Sequence, residues 1–281
     1  MDVFVVKANG SKQLFDREKV VQTCLRMGVT IEVANEVAER VQNRLYEGIT
    51  TQTILRLIFT FIRKQKPAVR YVFDLRRGIS LMEPKPEFEA FIQILLAESG
   101  FQVKPNQILK GKCCEHEVDA VATKNGTTFL VEVKHHYSYH ALTGLDESRI
   151  ARAVLEDVTE AYELGVTNQK IDRAMIITNT RYSEHAVCYG RCRNIMQIGW
   201  TSPEDWGLRD IVEKSKLYPL SCLRGLSSEV RLRLVNAGIV LISQLLKLGR
   251  SEIEKKTGVP HVTVSSILEK AQHSVDTLWN Y

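Results

Sequence analysis

Two carboxylates and a lysine in the middle of the chain are of the types that bind metal ions and phosphate. Asp119 lies a short distance before the triplet Glu132-Val133-Lys134. Carboxylates held close together repel one another unless a cation lies between them, and oxygen ligands of this kind suit Mg²⁺ or Mn²⁺. The residue types therefore predict a divalent metal site, provided that the fold brings the two carboxylates together.

The strands that carry these residues meet that condition. Residues 118–122 and 129–134 have the composition of β-strands, and Asn125-Gly126 between them is the strongest short-range signal for a hairpin. If Asn125 and Gly126 are the centre of a two-residue turn, Lys124 pairs with Thr127. That pairing fixes the register of the two strands.

In this register Asp119 falls opposite Glu132. Residues directly opposed in an antiparallel pair have Cβ atoms about 4.5 to 5.5 Å apart. Because side chains alternate between the two faces of a strand, Lys134 shares the face of Glu132. Glu117 should then lie opposite Lys134 and pair with it.

The flanking segments complete an α/β pattern. A helix is predicted from Glu87-Phe88-Glu89 to Gly100. The order of helix, Asp119 and Glu132-Val133-Lys134 resembles the PD-(D/E)xK nuclease superfamily over about residues 86–200. Phe88-Glu89 with Gly100-Phe101 is similar to its Mrr-type restriction endonuclease branch. The resemblance implies a crossover helix over 146–164, a buried strand over 174–178 and a helix over 183–196.

The resemblance implies a role for each residue. Asp119 and Glu132 bind the metal, Glu89 completes or orients the site from its helix, and Lys134 orients the attacking water and steadies phosphate charge. The implied reaction is Mg²⁺- or Mn²⁺-dependent hydrolysis of phosphodiester bonds in DNA. The proline that names the superfamily is absent, since Glu117-Val118 precedes Asp119.

Histidines and cysteines near this segment allow other interpretations. His135, His136 and His140 follow the second strand and are expected either to contact substrate or to have a structural role. Cys113-Cys114 with His116, and Cys188 with Cys192, match no established metal-ligand spacing. The six cysteines are expected to be mainly buried thiols in a reducing compartment.

The start of the chain predicts a small domain of a hairpin and three helices. Val3–Lys7, the Asn9-Gly10 turn and Gln13–Phe15 form the hairpin, Asp16 caps a first helix, and further helices cover 32–46 and 51–64. The runs that carry a family resemblance are Val5-Val6-Lys7-Ala8-Asn9-Gly10, Phe15-Asp16-Arg17-Glu18-Lys19-Val20, Gly48-Ile49-Thr50-Thr51 and Arg70-Tyr71. They resemble the ATP-cone, a regulatory nucleotide-binding domain.

This second resemblance implies binding of ATP or dATP as an allosteric ligand through Val5, Lys7, Lys19 and Thr51. Lysines neutralise the triphosphate, while a strand edge and a hydroxyl at a helix start hold the rest of the nucleotide. Ala8 follows Lys7 where the family usually has arginine. The chain contains no Gly-x-x-x-x-Gly-Lys-[Ser/Thr] loop, which disfavours an ATPase motor.

The last segment predicts four or five short helices separated by glycines. Leu223-Arg224-Gly225-Leu226, Ala237-Gly238-Ile239 and Thr257-Gly258-Val259 resemble a tandem helix-hairpin-helix domain, which binds DNA backbone through N–H groups. Pro260 stands where a second glycine is expected and removes one donor. The alternative is a helical packing or dimerisation domain.

Composition is that of a globular protein, with 281 residues, 44% hydrophobic residues and a net charge of +5. Residues 1–83 carry 14 Lys/Arg against 9 Asp/Glu, and residues 216–281 carry 9 against 5, so the middle is acidic. Basic ends suit nucleotide and nucleic acid partners, and an acidic middle suits a metal site.

No apolar run is long enough to span a membrane, and no export signal precedes Lys7, so a cytoplasmic location is expected.

Together these patterns predict an α/β multidomain protein. The expected domains are an α-helical ATP-cone with a small β-hairpin sheet (1–83), a restriction-endonuclease-like α/β core (84–215) and an all-α C-terminal domain (216–281). The expected function is a nucleotide-regulated, Mg²⁺-dependent DNA endonuclease that acts as a homodimer. Two alternatives are an ATP/dATP-sensing DNA-binding regulator with an inactive nuclease fold, and a resolvase acting on branched DNA.

Overall fold

The computed structural model describes residues 3–278 apart from residues 8–9, 26, 28 and 66–73. The chain divides into two compact units, the first containing residues 1–74, 221–227 and 245–281, and the second containing residues 75–220 and 228–244. Ala8, Asn9, Arg70 and Tyr71, which contribute to the ATP-cone resemblance, lie outside the described residues. Among the described helices, none has the length and apolar character needed to cross a membrane.

The first unit begins with a three-stranded sheet and three helices. Strands β1 (Phe4–Val6) and β2 (Lys12–Leu14) form the predicted antiparallel hairpin, and β3 (Ile49–Thr50) pairs with β1 in parallel. Helices α1 (Arg17–Leu25), α2 (Ile31–Gln42) and α3 (Thr51–Gln65) bury valines and isoleucines against one another. Helix α2 ends four residues earlier than the predicted 46, because the chain tightens into turns after Gln42 that lead into β3.

The predicted cap of α1 is confirmed. Asp16 Oδ1 accepts hydrogen bonds from the backbone N–H groups of Glu18 at 3.0 Å and Lys19 at 3.4 Å. These groups have no partner within the helix, so the carboxylate both satisfies them and complements the positive end of the helix dipole. The pKa of Asp16 is accordingly lowered by its interactions with Lys19, which outweigh the effect of burial.

The described part of residues 216–281 is helical. It contains a short 3-10 turn at Leu220–Cys222 and helices α9 (Ser228–Asn236), α10 (Ile242–Lys247), α11 (Arg250–Thr257) and α12 (His261–Leu278). Gly238 and Gly258 follow α9 and α11 with φ values of 80° and 65°. Glycine adopts this left-handed conformation without steric cost, which explains why the helices end there.

A five-stranded mixed sheet forms the centre of the second unit, in the order β10-β8-β6-β5-β4. Strands β4 (Gln102–Lys110), β5 (Glu115–Lys124) and β6 (Thr127–Lys134) are antiparallel, and β8 (Arg173–Thr178) and β10 (Met196–Ile198) continue in parallel with β6. Two short parallel strands, β7 (Leu142–Thr143) and β9 (Arg181–Tyr182), form a separate pair. Met196, predicted to lie in a helix, begins β10 instead, because α7 ends at Cys192.

Five helices surround this sheet: α4 (Leu75–Ser80), α5 (Glu89–Glu98), α6 (Leu145–Glu163), α7 (Glu184–Cys192) and α8 (Leu208–Ser215). Leu155 and Val158 of α6 and Ala186 of α7 pack against Val118 and Ile176 in one buried cluster. Helices α5 and α8 line a small apolar cavity with residues of β8 and β10. The apolar faces of these helices thus pack against the sheet, as an α/β core requires.

Candidate active site

The hairpin of β5 and β6 has the predicted register. Lys124 pairs with Thr127, and the pairing continues to Ala120 opposite Val131. Asn125 and Gly126 have φ values of 51° and 77°, both positive as a type I′ turn requires. The turn therefore sets which residues of the two strands face each other.

Asp119 lies where β5 separates from both neighbouring strands. The pairing with β6 ends at Ala120, and the pairing with β4 is interrupted at Asn106, which has a φ of 48°. Asp119 Oδ2 accepts a hydrogen bond from the Val133 N–H at 2.7 Å, so its carboxylate reaches across to β6. Asp119 and Glu132 are close neighbours just beyond the last paired residues rather than members of the ladder.

Glu89 approaches the same place from α5. This helix begins one residue after a π-helical turn at Pro84–Phe88, so it starts later than the predicted Glu87. Gln93 of α5 donates a hydrogen bond to the Asp119 carbonyl oxygen at 3.2 Å, which fixes the helix against β5. The side chains of Glu89 and Asp119 are only 9% and 11% exposed.

Lys85 lies among these carboxylates and was not indicated by the motif. Its Nζ is 3.1 Å from Glu89 Oε1, 3.3 Å from Asp119 Oδ1 and 3.9 Å from Glu117 Oε1. The spacing of four residues to Glu89 is the one signal in the sequence that suggests an ion pair here. One cation thus contacts two of the three carboxylates that the resemblance assigns to the site.

The pKa values of Glu89 and Glu132 show that ionising all the carboxylates of this cluster is unfavourable. Burial and the neighbouring Asp119 raise the pKa of Glu89 to about 7, although Lys85 opposes the rise. Burial and Asp119 likewise raise the pKa of Glu132 to about 7. Like charges and desolvation both disfavour ionisation, and both effects are relieved when a cation is bound.

Lys134 has a different partner from the one expected. Its Nζ is 2.8 Å from Glu147 Oε1 at the start of α6, whereas Glu117 faces Lys85. The expected pair of Glu117 and Lys134 is therefore wrong, because β5 and β6 separate before those residues would meet. Lys134 remains next to Glu132 along β6 and 44% exposed.

The neighbouring histidines have structural contacts. His135 donates through Nε2 to the Ile79 carbonyl at 3.0 Å and packs its ring on Phe88 and Tyr137. His136 Nε2 is 3.1 Å from Thr143 Oγ1, and its backbone N–H donates to Asn179 Oδ1. Burial lowers the pKa of both histidines. These contacts support the structural interpretation for His135 and His136.

The cysteines differ from their expected burial. Cys24 and Cys222 are buried, whereas Cys113, Cys114, Cys188 and Cys192 are exposed. The exposed four occur in the β4–β5 loop and in or at the end of α7, which are surface elements. Expecting mainly buried thiols was therefore wrong for these residues.

Two of the predicted nucleotide-binding residues, Lys7 and Thr51, lie at the same end of one small sheet. Lys7 follows β1 and Thr51 follows β3, and these parallel neighbours place Val6 beside Thr50. Lys19 is 66% exposed and its Nζ lies 3.3 Å from Asp16 Oδ2. Val5 is only 2% exposed and lies in the central strand of the sheet, and its role in nucleotide binding stays a prediction.

The oxygen donors near Lys85 are of the type that binds a divalent cation. Glu89, Asp119 and Glu132 supply carboxylate oxygens from α5, β5 and β6, which are the ligands that Mg²⁺ and Mn²⁺ prefer. The Lys85 ammonium group is a cation already held by two of them. A positive charge is therefore already stabilised between Glu89 and Asp119.

Comparisons with known proteins agree with this core. A restriction endonuclease family matches residues 80–198, and an AF1548-like, C-terminal family matches residues 218–273. An uncharacterised protein of Archaeoglobus fulgidus is 35% identical over 161 residues, which cover 57% of this chain and 87% of that protein. A crystal structure described as a protein of unknown function, AF1548, has 31% identity and a TM-score of 0.59, over 67% of this chain and 96% of its own.

The matches confirm the restriction-endonuclease-like interpretation of the middle segment. The last segment matches the AF1548-like C-terminal family, and its helix-hairpin-helix character stays a prediction. Neither of these two families extends into residues 1–79, so the ATP-cone interpretation also stays a prediction.

Proposed function

Because the chain belongs to the AF1548-like family and contains a restriction-endonuclease-like domain, we propose that it is a metal-dependent endonuclease that hydrolyses phosphodiester bonds in DNA. The main support for the proposal is that α5, β5 and β6 bring Glu89, Asp119 and Glu132 close together. The Lys85 ammonium group lies between Glu89 and Asp119. A cluster that only stabilised the fold would not need a third acid, the partly buried Glu132, beside that pair.

Asp119 and Glu132 would hold Mg²⁺ or Mn²⁺, and Glu89 would complete the ligand set or orient it. When bound, such an ion polarises the phosphodiester and lowers the pKa of a coordinated water. The Val133 N–H keeps the Asp119 carboxylate turned toward β6. Lys134, which shares the strand of Glu132, would orient the attacking water and balance phosphate charge after leaving Glu147.

The last segment is proposed to bind the DNA backbone in a helix-hairpin-helix-like manner. Its net charge is positive, and Gly225, Gly238 and Gly258 all have positive φ at the turns that follow or precede its helices. Turns of this kind present backbone N–H groups to phosphates without reading base sequence.

A homodimer is proposed as the active form, because double-strand cleavage by one site per chain usually requires two chains.

A second candidate function is regulation by ATP or dATP at the first segment. The parallel pairing of β1 and β3 carries it, because this pairing places the strand ends that precede Lys7 and Thr51 side by side. A triphosphate bound there would act as an allosteric ligand, provided that its affinity differs between two states of the protein.

Cleavage assays on the purified chain test the main proposal. Linear, single-stranded, methylated and branched DNA are incubated with Mg²⁺ or Mn²⁺, and DNA binding is followed by fluorescence anisotropy. Asp119→Asn and Glu132→Gln should each reduce cleavage by more than the roughly 10- to 100-fold that loss of an outer-shell partner costs, with binding preserved. Glu184→Gln, which changes an exposed carboxylate on α7, is the control.

The assay also separates the alternatives. Cleavage confined to branched DNA would identify a resolvase. DNA binding without cleavage of any substrate, in wild type and variants alike, would show an inactive nuclease fold and overturn the proposal.

A further inference from the structure

A second cluster of metal-ligating side chains lies away from the carboxylate site. It joins the loop between β4 and β5, β5 itself, and α6. Cys114 Sγ is 3.7 Å from His116 Nε2, and His116 Nε2 is 2.8 Å from Asp157 Oδ2. The three ligand atoms all lie within 4.8 Å of one another. His116 and Asp157 are mostly buried, with side chains 19% and 13% exposed.

These distances are close to those of a tetrahedral zinc site. With Zn–S of about 2.3 Å and Zn–N of about 2.0 to 2.1 Å, tetrahedral ligands S and N lie about 3.6 Å apart. The measured separation of Cys114 Sγ and His116 Nε2 needs almost no adjustment. The hydrogen bond from His116 to Asp157 would open to about 3.4 Å on metal binding by the same arithmetic.

We propose that Cys114, His116 and Asp157 bind a structural zinc ion, with Cys113 as the fourth ligand. Cys113 adjoins Cys114, and its backbone N–H donates to Asp157 Oδ1 at 2.8 Å, so this residue lies beside the three ligands. Two thiolates, an imidazole and a carboxylate are a donor set that zinc accepts and that Mg²⁺ does not favour. An iron–sulfur cluster generally requires four cysteine ligands, whereas the four proposed ligands include only two cysteines, Cys113 and Cys114.

The surroundings of Asp157 are arranged to hold its carboxylate in place. The backbone N–H of Cys113 donates to Asp157 Oδ1 at 2.8 Å, and that of Cys114 donates to Oδ2 at 3.4 Å. A Cβ atom at position 111 would collide with this carboxylate, so the glycine there makes room for it. Outer contacts that orient a ligand in this way are typical of metal sites.

The site would stabilise an edge of the sheet. Strand β4 is the edge strand, and most of its side chains are exposed, so few apolar contacts hold it. A zinc ion on its loop would attach the β4–β5 hairpin to α6. His116 lies three residues before Asp119 on β5, and the two side chains therefore point to opposite faces of the strand. The proposed zinc site is distinct from the carboxylate site.

Cobalt substitution tests the proposal directly. The full-length protein is freed of metal and loaded with Co²⁺ in the presence of excess Mg²⁺. Wild type should bind one equivalent and show both tetrahedral d–d bands and thiolate-to-cobalt charge transfer. Cys114→Ser and His116→Gln should lose most of the signal. Asp119→Asn and the double change Cys188→Ser with Cys192→Ser, which remove the other carboxylate site and the other exposed thiols, should retain it.

Alkylation of the exposed cysteines in the wild-type protein tests the same proposal without variants, which matters if the variants do not fold. With Zn²⁺ bound, Cys113 and Cys114 should react with iodoacetamide at least about tenfold more slowly, because a metal-bound thiolate is a poor nucleophile. Cys188 and Cys192 should react at unchanged rates. The absence of thiolate charge transfer, or equal alkylation of all four exposed cysteines with and without Zn²⁺, would overturn the zinc assignment.

Discussion

The Lys85 ammonium group lies where the proposed metal ligands converge, so metal binding and this lysine compete for the same oxygens. Its Nζ contacts both Glu89 and Asp119, and its side chain is 63% exposed. An exposed ammonium group can move into solvent at small cost, since surface ion pairs contribute little. The site can therefore exchange one cation for another without rearranging its strands.

Replacing Lys85 should tighten metal binding. Lys85→Gln removes the competing charge while keeping a side chain of similar length, and Mn²⁺ affinity measured by calorimetry should rise about two- to fivefold. Lys170→Gln is a matched control, because Lys170 is equally exposed and pairs with Asp172 at 2.8 Å, away from the proposed ligands. Unchanged or weaker Mn²⁺ binding in Lys85→Gln would show that the lysine does not occupy the metal position.

Protonation of His135 should destabilise the second unit. Burial lowers the pKa of His135, and its Nδ1 is buried with no hydrogen-bond partner among the described residues. The unfolded chain takes up this proton near pH 6.5, whereas the folded protein takes it up only at lower pH. Stability from the neutral imidazole is therefore complete above about pH 6.5 and is lost as the pH falls toward the folded-state pKa.

The measurement is denaturant unfolding at pH 7.5 and pH 5.5. His135→Gln should lose less of its unfolding free energy between the two pH values than wild type does. His185→Gln, at an exposed position on α7, should behave like wild type. Equal pH dependence in all three proteins would contradict the assignment to His135.

At the scale of elements, the turn at Pro84–Phe88 connects Lys85 to a buried ion pair. Arg231 of α9 donates through Nε to Glu87 Oε1 at 2.9 Å, and its Nη2 donates to the Leu81 carbonyl at 2.6 Å. The Arg231 and Glu87 side chains are 8% and 3% exposed. Burial raises the pKa of Glu87 even though Arg231 opposes this. The carboxylate thus depends on its guanidinium partner to stay ionised.

Removing Arg231 should be strongly destabilising. Arg231→Ala leaves the Glu87 carboxylate buried without its partner, which costs about 3 to 5 kcal/mol of unfolding free energy. Arg233→Ala, on the same helix, breaks a surface pair with Glu229 and should cost less than about 1 kcal/mol. Chemical denaturation measures both.

Replacing both partners distinguishes the ion pair from simple packing. The double change Glu87→Leu with Arg231→Met should recover much of the stability lost in Arg231→Ala, because no uncompensated charge stays buried. A loss in Arg231→Ala no larger than that in Arg233→Ala would show that the buried pair is unimportant.

The Asn125-Gly126 turn made the β5–β6 hairpin predictable from the sequence. Strand β4 and the contacts of Lys85 and Lys134 have no such local signal. Asn125 and Gly126 tolerate positive φ, so two residues determined the register and the neighbouring positions of Asp119 and Glu132. Strand β4 is an exposed edge with a single buried residue, Leu109, and therefore lacks an alternating pattern. The contacts of Lys85 and Lys134 depend on where separate elements pack, which sequence spacing does not encode.

For the whole molecule, the proposed nucleotide regulation requires a specific pair of lysines. Each charge-assisted contact to phosphate contributes roughly 1.5 to 3 kcal/mol, so losing one lysine should weaken ATP or dATP binding about ten- to a hundredfold. The double change Lys7→Ala with Lys19→Ala should abolish the effect of nucleotide on cleavage or oligomeric state, with Mg²⁺-dependent activity preserved. Lys12→Ala, at an exposed position of β2, is the control.

Calorimetry and size-exclusion chromatography of wild type and both variants provide the readouts. Equal nucleotide affinity in wild type and the Lys7/Lys19 variant would mean that the first segment is a helical domain with solvated lysines. Binding without any effect on cleavage or assembly would instead show that the domain is not regulatory.

The position of Arg231 limits how the protein can be divided. A chain shortened after residue 215 would keep every predicted metal ligand and the whole five-stranded sheet. It would lack Arg231, the guanidinium partner of the Glu87 carboxylate. The Pro84–Phe88 turn, which carries Lys85, would lose its contact with α9. The proposed activity should therefore be tested on the full chain, because a helix that contributes no metal ligand contacts the turn beside the site.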